Sequence, residues 1–222
     1  MLDGSGSERK TDRAEAFSDA VLAIAITLPV LDLHLPEPSR GTLKDQFLEL
    51  GPQFLAYAMS FVVIGVYWAY SHFSGKLWRK TDHFFNLLTL LFLGTVSITP
   101  FPARPFIDHL GDPANAATGA IVYAWVLTFP ALVWLVRWFY GSTRGLLDPR
   151  LDHGFVRRTS IKYGLTTLCC LTGAIVATVA EWRVGIALVA AATLVYLLPP
   201  MAPTYKPGEE PGSDIEEADE PN

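Results

Sequence analysis

Residues 13–32 read RAEAFSDAVLAIAITLPVLD, and residues 20–31 of that stretch carry no charge. Twenty mostly apolar residues are about what a helix needs to cross a bilayer. Polar side chains enter only at one end, where Arg13, Ser18 and Asp19 lie within about two helical turns. At about 100° per residue, Arg13 and Asp19 are roughly 600° apart, about 120° short of two full turns. They therefore do not stack on one face. Asp19 also lies too far into the run for a routine helix cap. A carboxylate and a guanidinium at a membrane boundary need partners, so each is expected to bond to a neighbouring helix or subunit. Phe17, Ala20, Ile24, Leu28 and Leu31 form a single stripe at helical spacing, with Thr27 beside it. Such a stripe ordinarily packs against a neighbour.

Outward from this segment the same pattern repeats. Apolar runs at about 17–33, 53–73, 84–101, 116–139, 163–180 and 184–200 predict six transmembrane helices. The fifth and sixth are separated only by Glu181, Trp182 and Arg183, which predicts a tight hairpin. A soluble helical domain would show polar faces at a period of about 3.6 residues. Residues 87–98 and 173–180 show almost none. The chain is 50% hydrophobic and only 18% charged, against about 25% for a typical soluble domain, and its charges collect between the apolar runs. That is the distribution a bilayer imposes. The predicted fold class is an all-α membrane protein with six spans.

Orientation follows from Lys and Arg in the short loops. With the N-terminus cytoplasmic, inside segments hold 13 of the 17 basic residues, and only Arg40, Lys44, Arg104 and Arg183 lie outside. Both termini are then cytoplasmic and the number of spans is even. Arg137 belongs in this reading to the basic cluster after the fourth span, snorkelling to the surface. The formal net charge of −5 comes from the C-terminal tail, which holds seven acidic residues between Glu209 and Glu220. Three segments are expected: a flexible N-terminus (1–12), a transmembrane domain (13–204) and a disordered acidic tail (205–222). Nothing suggests nucleic acid. Cys169 and Cys170 are adjacent in an apolar run, in no metal-ligand spacing, and read as packing residues.

The run Arg13-x3-Phe17-Ser18-Asp19-Ala20-Val21-x-Ala23-Ile24-x-Ile26-Thr27-Leu28 resembles the first-helix signature of the prokaryotic transmembrane protein 175 potassium channels. Tyr67, Trp68 and His72 on the second helix agree with it, as do Ser97, Thr99, Pro100 and Pro102 at the end of the third. The resemblance covers roughly residues 13–200. It implies a homotetramer around a central pore lined by the first helix, in a bacterial plasma membrane, with potassium as the permeant ion, lipid as the surroundings and no cofactor. It maps the pore-narrowing aliphatic positions, a hydrophobic gate, to Ile24, Leu28 and Leu31, and a polar layer that can select the ion to Thr27. It also implies a hydrogen-bond network of Arg13, Ser18, Asp19, Trp68 and His72 beside Phe17. Physically, four copies of Ile24 around an axis form a dry ring, which blocks ions that would lose hydration for nothing in exchange.

Pro29 departs from the family pattern, which has an aliphatic residue there. It removes a backbone donor, leaves the Ala25 carbonyl without its helical partner and favours a kink. The expectation is that this carbonyl meets an ion or water in the pore. An enzyme is not expected: there is no HExxH, no GxSxG and no pair of intramembrane aspartates. A secondary transporter, a proton-permeable channel or a non-conducting membrane protein are the alternatives, but no convincing internal repeat supports the first.

Overall fold

The computed structural model describes residues 5–35 and 41–209, with side chains from Arg13 onward. Residues 1–4 of the N-terminal segment and 210–222 of the acidic tail lie outside the described residues. Among those described, the regular structure is helical, with two isolated β-bridges. The helices are α1 (Ser5–Thr27), α2 (Leu43–Glu49), α3 (Gly51–Gly75), α4 (His83–Ser97), α5 (Ala103–Asp108), α6 (Pro113–Thr143), α7 (His153–Val179) and α8 (Trp182–Leu194). A 3-10 segment, Leu28–Asp32, continues α1, and another, Val195–Leu197, continues α8. Helix α1 thus takes in much of the stretch expected to be loose; after Gly6 that stretch contains no helix-breaking residue.

Four spans are long and apolar enough to cross a membrane: Arg13–Asp32, Gly51–Gly75, Pro113–Thr143 and His153–Val179. Two further apolar helices, His83–Ser97 and Trp182–Leu197, are shorter. The third run was expected to continue to 101, but α4 stops at Ser97. Pro100 disfavours helix at Thr99 and lacks an N–H, so the chain turns and re-enters as α5, whose Ala103, Phe106 and Ile107 are buried. At about 1.5 Å per residue, α4 spans roughly 22 Å of a hydrocarbon core about 30 Å thick.

Acidic residues placed just before the helices fix where they begin. The Asp82 carboxylate accepts from the Phe85 N–H (2.8 Å) and Asp152 from those of Gly154 and Phe155 (2.8 and 3.2 Å). Each such cap stabilises its helix by about 1 kcal/mol. The Phe85 bond, helped by the Tyr140 hydroxyl, holds the Asp82 carboxyl below the usual carboxylate range.

Helices α4, α6, α7 and α8 pack in succession, and α1 lies against α3 and α4. The core is aromatic: Trp138 stacks edge-on against both Trp78 and Tyr163, with ring centroids 5.6 and 5.2 Å apart, and Phe92 lies 5.0 Å from Trp134. The predicted α7–α8 hairpin is present, with Glu181 capping α8. Its closeness depends on glycine. A Cβ on Gly173 would lie 2.8 Å from the Gly185 carbonyl, and one on Gly185 would run into the Ala177 backbone. Gly185→Val is therefore expected to cost several kcal/mol, by analogy with overpacking at about 1–3 kcal/mol plus backbone displacement. The check is thermal unfolding in detergent, where the variant should unfold well below wild type or fail to accumulate.

One long loop, between α6 and α7, gathers the chain on one side. Arg79 N–H donates to the Leu146 carbonyl (2.9 Å) and Asp148 N–H to that of Leu77 (2.9 Å). Asp152 N–H donates to Thr204, and Lys206 N–H to Arg150 (both 2.9 Å). Residues 205 and 206, at the start of the expected tail, are thus tied to the helical body. Arg150 grips Asp148 through a 2.8 Å ion pair, and that hydrogen bonding depresses the Asp148 carboxyl.

Candidate functional site

Helix α1 presents two faces. Ser18, Leu22 and Ala25 are buried against the bundle, Leu22 being only 1% exposed. Phe17, Ile24, Leu28 and Leu31 point away from it; Ile24 is 57% and Leu31 67% exposed. The aliphatic stripe is therefore free of the subunit's own packing, and Ser18 and Asp19 of the polar motif belong to the packed side.

That side carries a network. Trp68 Nε1 donates to Asp19 Oδ1 at 3.1 Å, tying α1 to α3. The Trp68 and His72 rings stack with centroids 5.9 Å apart. Ser18 Oγ donates to its own helix, to the Ala14 carbonyl at 2.8 Å. Ser18, Asp19 and His72 line one small cavity of about 30 Å³, together with Thr89 and Arg137. Arg13 is exposed and has no hydrogen-bond or ion-pair partner among the described residues, so the structure does not bring it into this network.

Thr27 Oγ1 lies 3.0 Å from both the Ala23 and Ile24 carbonyls, to which it donates. Its proton is used within the helix, leaving the exposed oxygen lone pairs as acceptors. Pro29 changes the helix type: α1 ends at Thr27 and the chain continues as a 3-10 helix through Asp32. Arg104 Nη1 donates to the Asp32 carbonyl at 3.0 Å and pins that end. A wide groove of about 690 Å³ runs along Ile24, Leu28, Leu31 and Asp32 toward Phe101 and Arg104.

Sequence reasoning missed Arg137. It does not snorkel but is buried, 7% exposed. Its guanidinium carbon lies 4.4 Å from the Phe85 ring centroid, 5.2 Å from Trp134 and 5.5 Å from Trp78. Nε donates to Thr89 Oγ1 at 2.9 Å. The available signal was the tryptophan three residues before it and another immediately after, a setting for cation–π contact. Among the described residues, no group of three or more His, Cys, Asp or Glu side chains could hold a metal ion.

Breaking the α1–α3 tie isolates its worth. Trp68→Phe is expected to leave the Asp19 carboxylate short of a donor and to lower stability by about 0.5–1.5 kcal/mol. Asp19→Asn, which can still accept, should cost less. Thermal denaturation of the two variants side by side checks the order.

These features define a helical, multi-pass membrane protein whose first helix turns Ser18 and Asp19 toward the bundle and its aliphatic face out. A family model described as endosomal/lysosomal potassium channel TMEM175 matches residues 13–100. The potassium channel B446_29190 of Streptomyces collinus is 34% identical over 161 residues, covering 72% of this chain and 78% of that protein. The crystal structure of a lysosomal potassium-selective channel TMEM175 homolog from Chamaesiphon minutus superposes with a TM-score of 0.73 at 30% identity, covering 86% of this chain and 97% of that one. The Gallus gallus relative, an endosomal/lysosomal proton channel TMEM175, is 33% identical over 131 residues, 55% of this chain and 26% of that protein. The chain belongs to the TMEM175 family.

Proposed function

We propose that the chain is one subunit of a potassium-permeable channel, a homotetramer in a bacterial plasma membrane with six spans per subunit and both termini cytoplasmic. Residues 13–204 form the channel domain, between the N-terminal segment 1–12 and the acidic tail 205–222. The two shorter apolar helices complete the six spans. Helix α1 lines a central pore. Ile24, Leu28 and Leu31 form its hydrophobic constriction, and Thr27 supplies a polar layer whose hydroxyl oxygen faces the ion. Asp19, Trp68, Ser18 and His72 hold α1 against its own subunit, with Phe17 at the foot of the exposed stripe and Arg13 left for a neighbouring subunit. No cofactor takes part; potassium is the permeant ion, and lipid surrounds the assembly.

The observation that carries this reading is the exposure of the α1 stripe. Four large apolar side chains on one face of the motif-bearing helix are turned away from the subunit's own core, and four copies around an axis would bring that face to a central pathway. The names of the Streptomyces and Chamaesiphon relatives agree with potassium as the ion. The name of the Gallus relative favours protons as a second permeant ion.

The test is flux from proteoliposomes loaded with potassium, sodium or a pH-sensitive dye. Potassium efflux that persists without a coupled gradient is expected. Absent flux from a verified tetramer would move the reading to a transporter or a non-conducting protein.

A further inference from the structure

The aliphatic stripe of α1 ends on an acid. Asp32 follows Leu31 directly, closes the 3-10 segment and is exposed. It lines the same groove as Ile24, Leu28 and Leu31. Its backbone is fixed, because its carbonyl accepts from Arg104 Nη1 at 3.0 Å. The arginine that holds the backbone does not neutralise the side chain. Arg104 Nε pairs instead with Asp108 Oδ2 at 3.4 Å, one turn further along α5. The Asp32 carboxylate has no hydrogen-bond or ion-pair partner among the described residues. Asp32 and Arg104 are the charged residues lining the groove, and Asp108 offsets Arg104, so each subunit carries net negative charge there. Most of the remaining lining is apolar, with Leu28, Leu31 and Phe101 nearest the acid in the groove's course.

We propose that Asp32 gathers cations at one mouth of the pathway, the end of α1 far from Ser18 and Asp19. Four copies form a ring of carboxylates just beyond Leu31, which draws cations toward the constriction and turns anions away. The consequence for ion flow rests on the channel reading above. The physical basis is focusing. Apolar walls of low dielectric confine the field of a like-signed cleft, which raises local counter-ion concentration and entry rate by about 10–10³-fold. Asp32 acts through that field and strips no water from the ion, so it is distinct from the dry ring at Ile24. Two signatures follow. The effect depends on the charge at position 32 rather than on its size. It also fades with salt, as the screening length falls from about 30 Å at 0.01 M to about 3 Å at 1 M.

The test reads the local field directly. In full-length protein with Cys169 and Cys170 replaced by serine, Leu31→Cys places a thiol beside the acid, at a position 67% exposed. Its modification rates by a cationic and an anionic methanethiosulfonate of similar size are compared in proteoliposomes. At low salt, Asp32→Asn is expected to lower the cationic-to-anionic rate ratio about tenfold, the lower end of the focusing range. Asp32→Glu should keep the ratio near that of Asp32, and at about 1 M salt the three proteins should converge. An unchanged ratio in assembled Asp32→Asn protein, an equal fall at both salts, or glutamate behaving like asparagine overturns the proposal. Potassium conductance, measured with Leu31 in place, is a separate readout. It should fall severalfold in Asp32→Asn at low salt and recover at high salt; no change beside a conducting wild type overturns the proposal. No conductance in wild type would overturn the channel reading, while the rate ratio would still decide whether Asp32 gathers cations.

Discussion

Ile24→Asn is expected to raise potassium flux per reconstituted assembly by about tenfold or more. The argument is one of hydration. A ring of isoleucine side chains offers a passing ion no oxygen to replace its water shell, and a narrow apolar ring tends to dewet. Asparagine puts an amide in each of the four positions, which rewets the ring and supplies acceptors. A barrier lowered by about 1.4 kcal/mol is a tenfold change in rate. Ile24→Ala should act in the same direction but less, since it widens the ring without making it polar. Because Ile24 is turned away from its own bundle, neither substitution opens a cavity in the core. The comparison is therefore free of a folding defect. It is made as potassium efflux per tetramer at matched reconstitution; equal flux in all three proteins would remove Ile24 from the constriction.

The second large effect is expected at Pro29. In the present geometry, residues 28–32 form a 3-10 helix, with about 120° per residue against about 100° in an α-helix. From Leu28 to Leu31 that is a full turn, so the two leucines eclipse and stack along one line. Pro29→Leu restores the missing N–H and allows α1 to continue through Asp32. Over the same three steps Leu31 then swings about 60° away from Leu28. It also returns to the Ala25 carbonyl the helical partner that proline denies it. The expected result is altered single-channel conductance or selectivity, with the thermal stability of the protein raised or unchanged. Conductance and selectivity identical to wild type would mean that neither the Ala25 carbonyl nor the register of Leu31 contributes to the pathway.

How much of this was legible in the sequence depended on how local the cause was. The spacing of Phe17, Ile24, Leu28 and Leu31 is a property of one helix, and the same residues emerge as one exposed face. The α7–α8 hairpin was equally local, fixed by three polar residues between apolar runs. The ends of helices were less legible. The apolar run through 101 hid the Thr99–Pro100 turn, because hydropathy counts proline and threonine as tolerable while backbone geometry does not. Likewise Pro29 suggested a kinked α-helix, and the chain resolved the missing donor by tightening into 3-10 geometry instead. Arg137 was illegible for a different reason. An arginine near the end of an apolar run, with Arg144 beyond it, reads as snorkelling. Its burial comes from Trp78 and Phe85, contributed by segments more than fifty residues away. The network around Asp19 was half legible: the motif named Trp68 and His72, and the hydrogen bond and ring stacking join them, but Arg13 stands apart.

The central claim is that the exposed face of α1 lines the ion pathway. The most direct measurement places a single cysteine at position 24 in protein with Cys169 and Cys170 replaced by serine. Potassium flux from proteoliposomes is then recorded before and after complete modification with a bulky thiol reagent. The account predicts that flux falls to near background on modification, while the cysteine-free protein is unaffected. Full modification with flux unchanged would contradict it and place the pathway elsewhere in the fold.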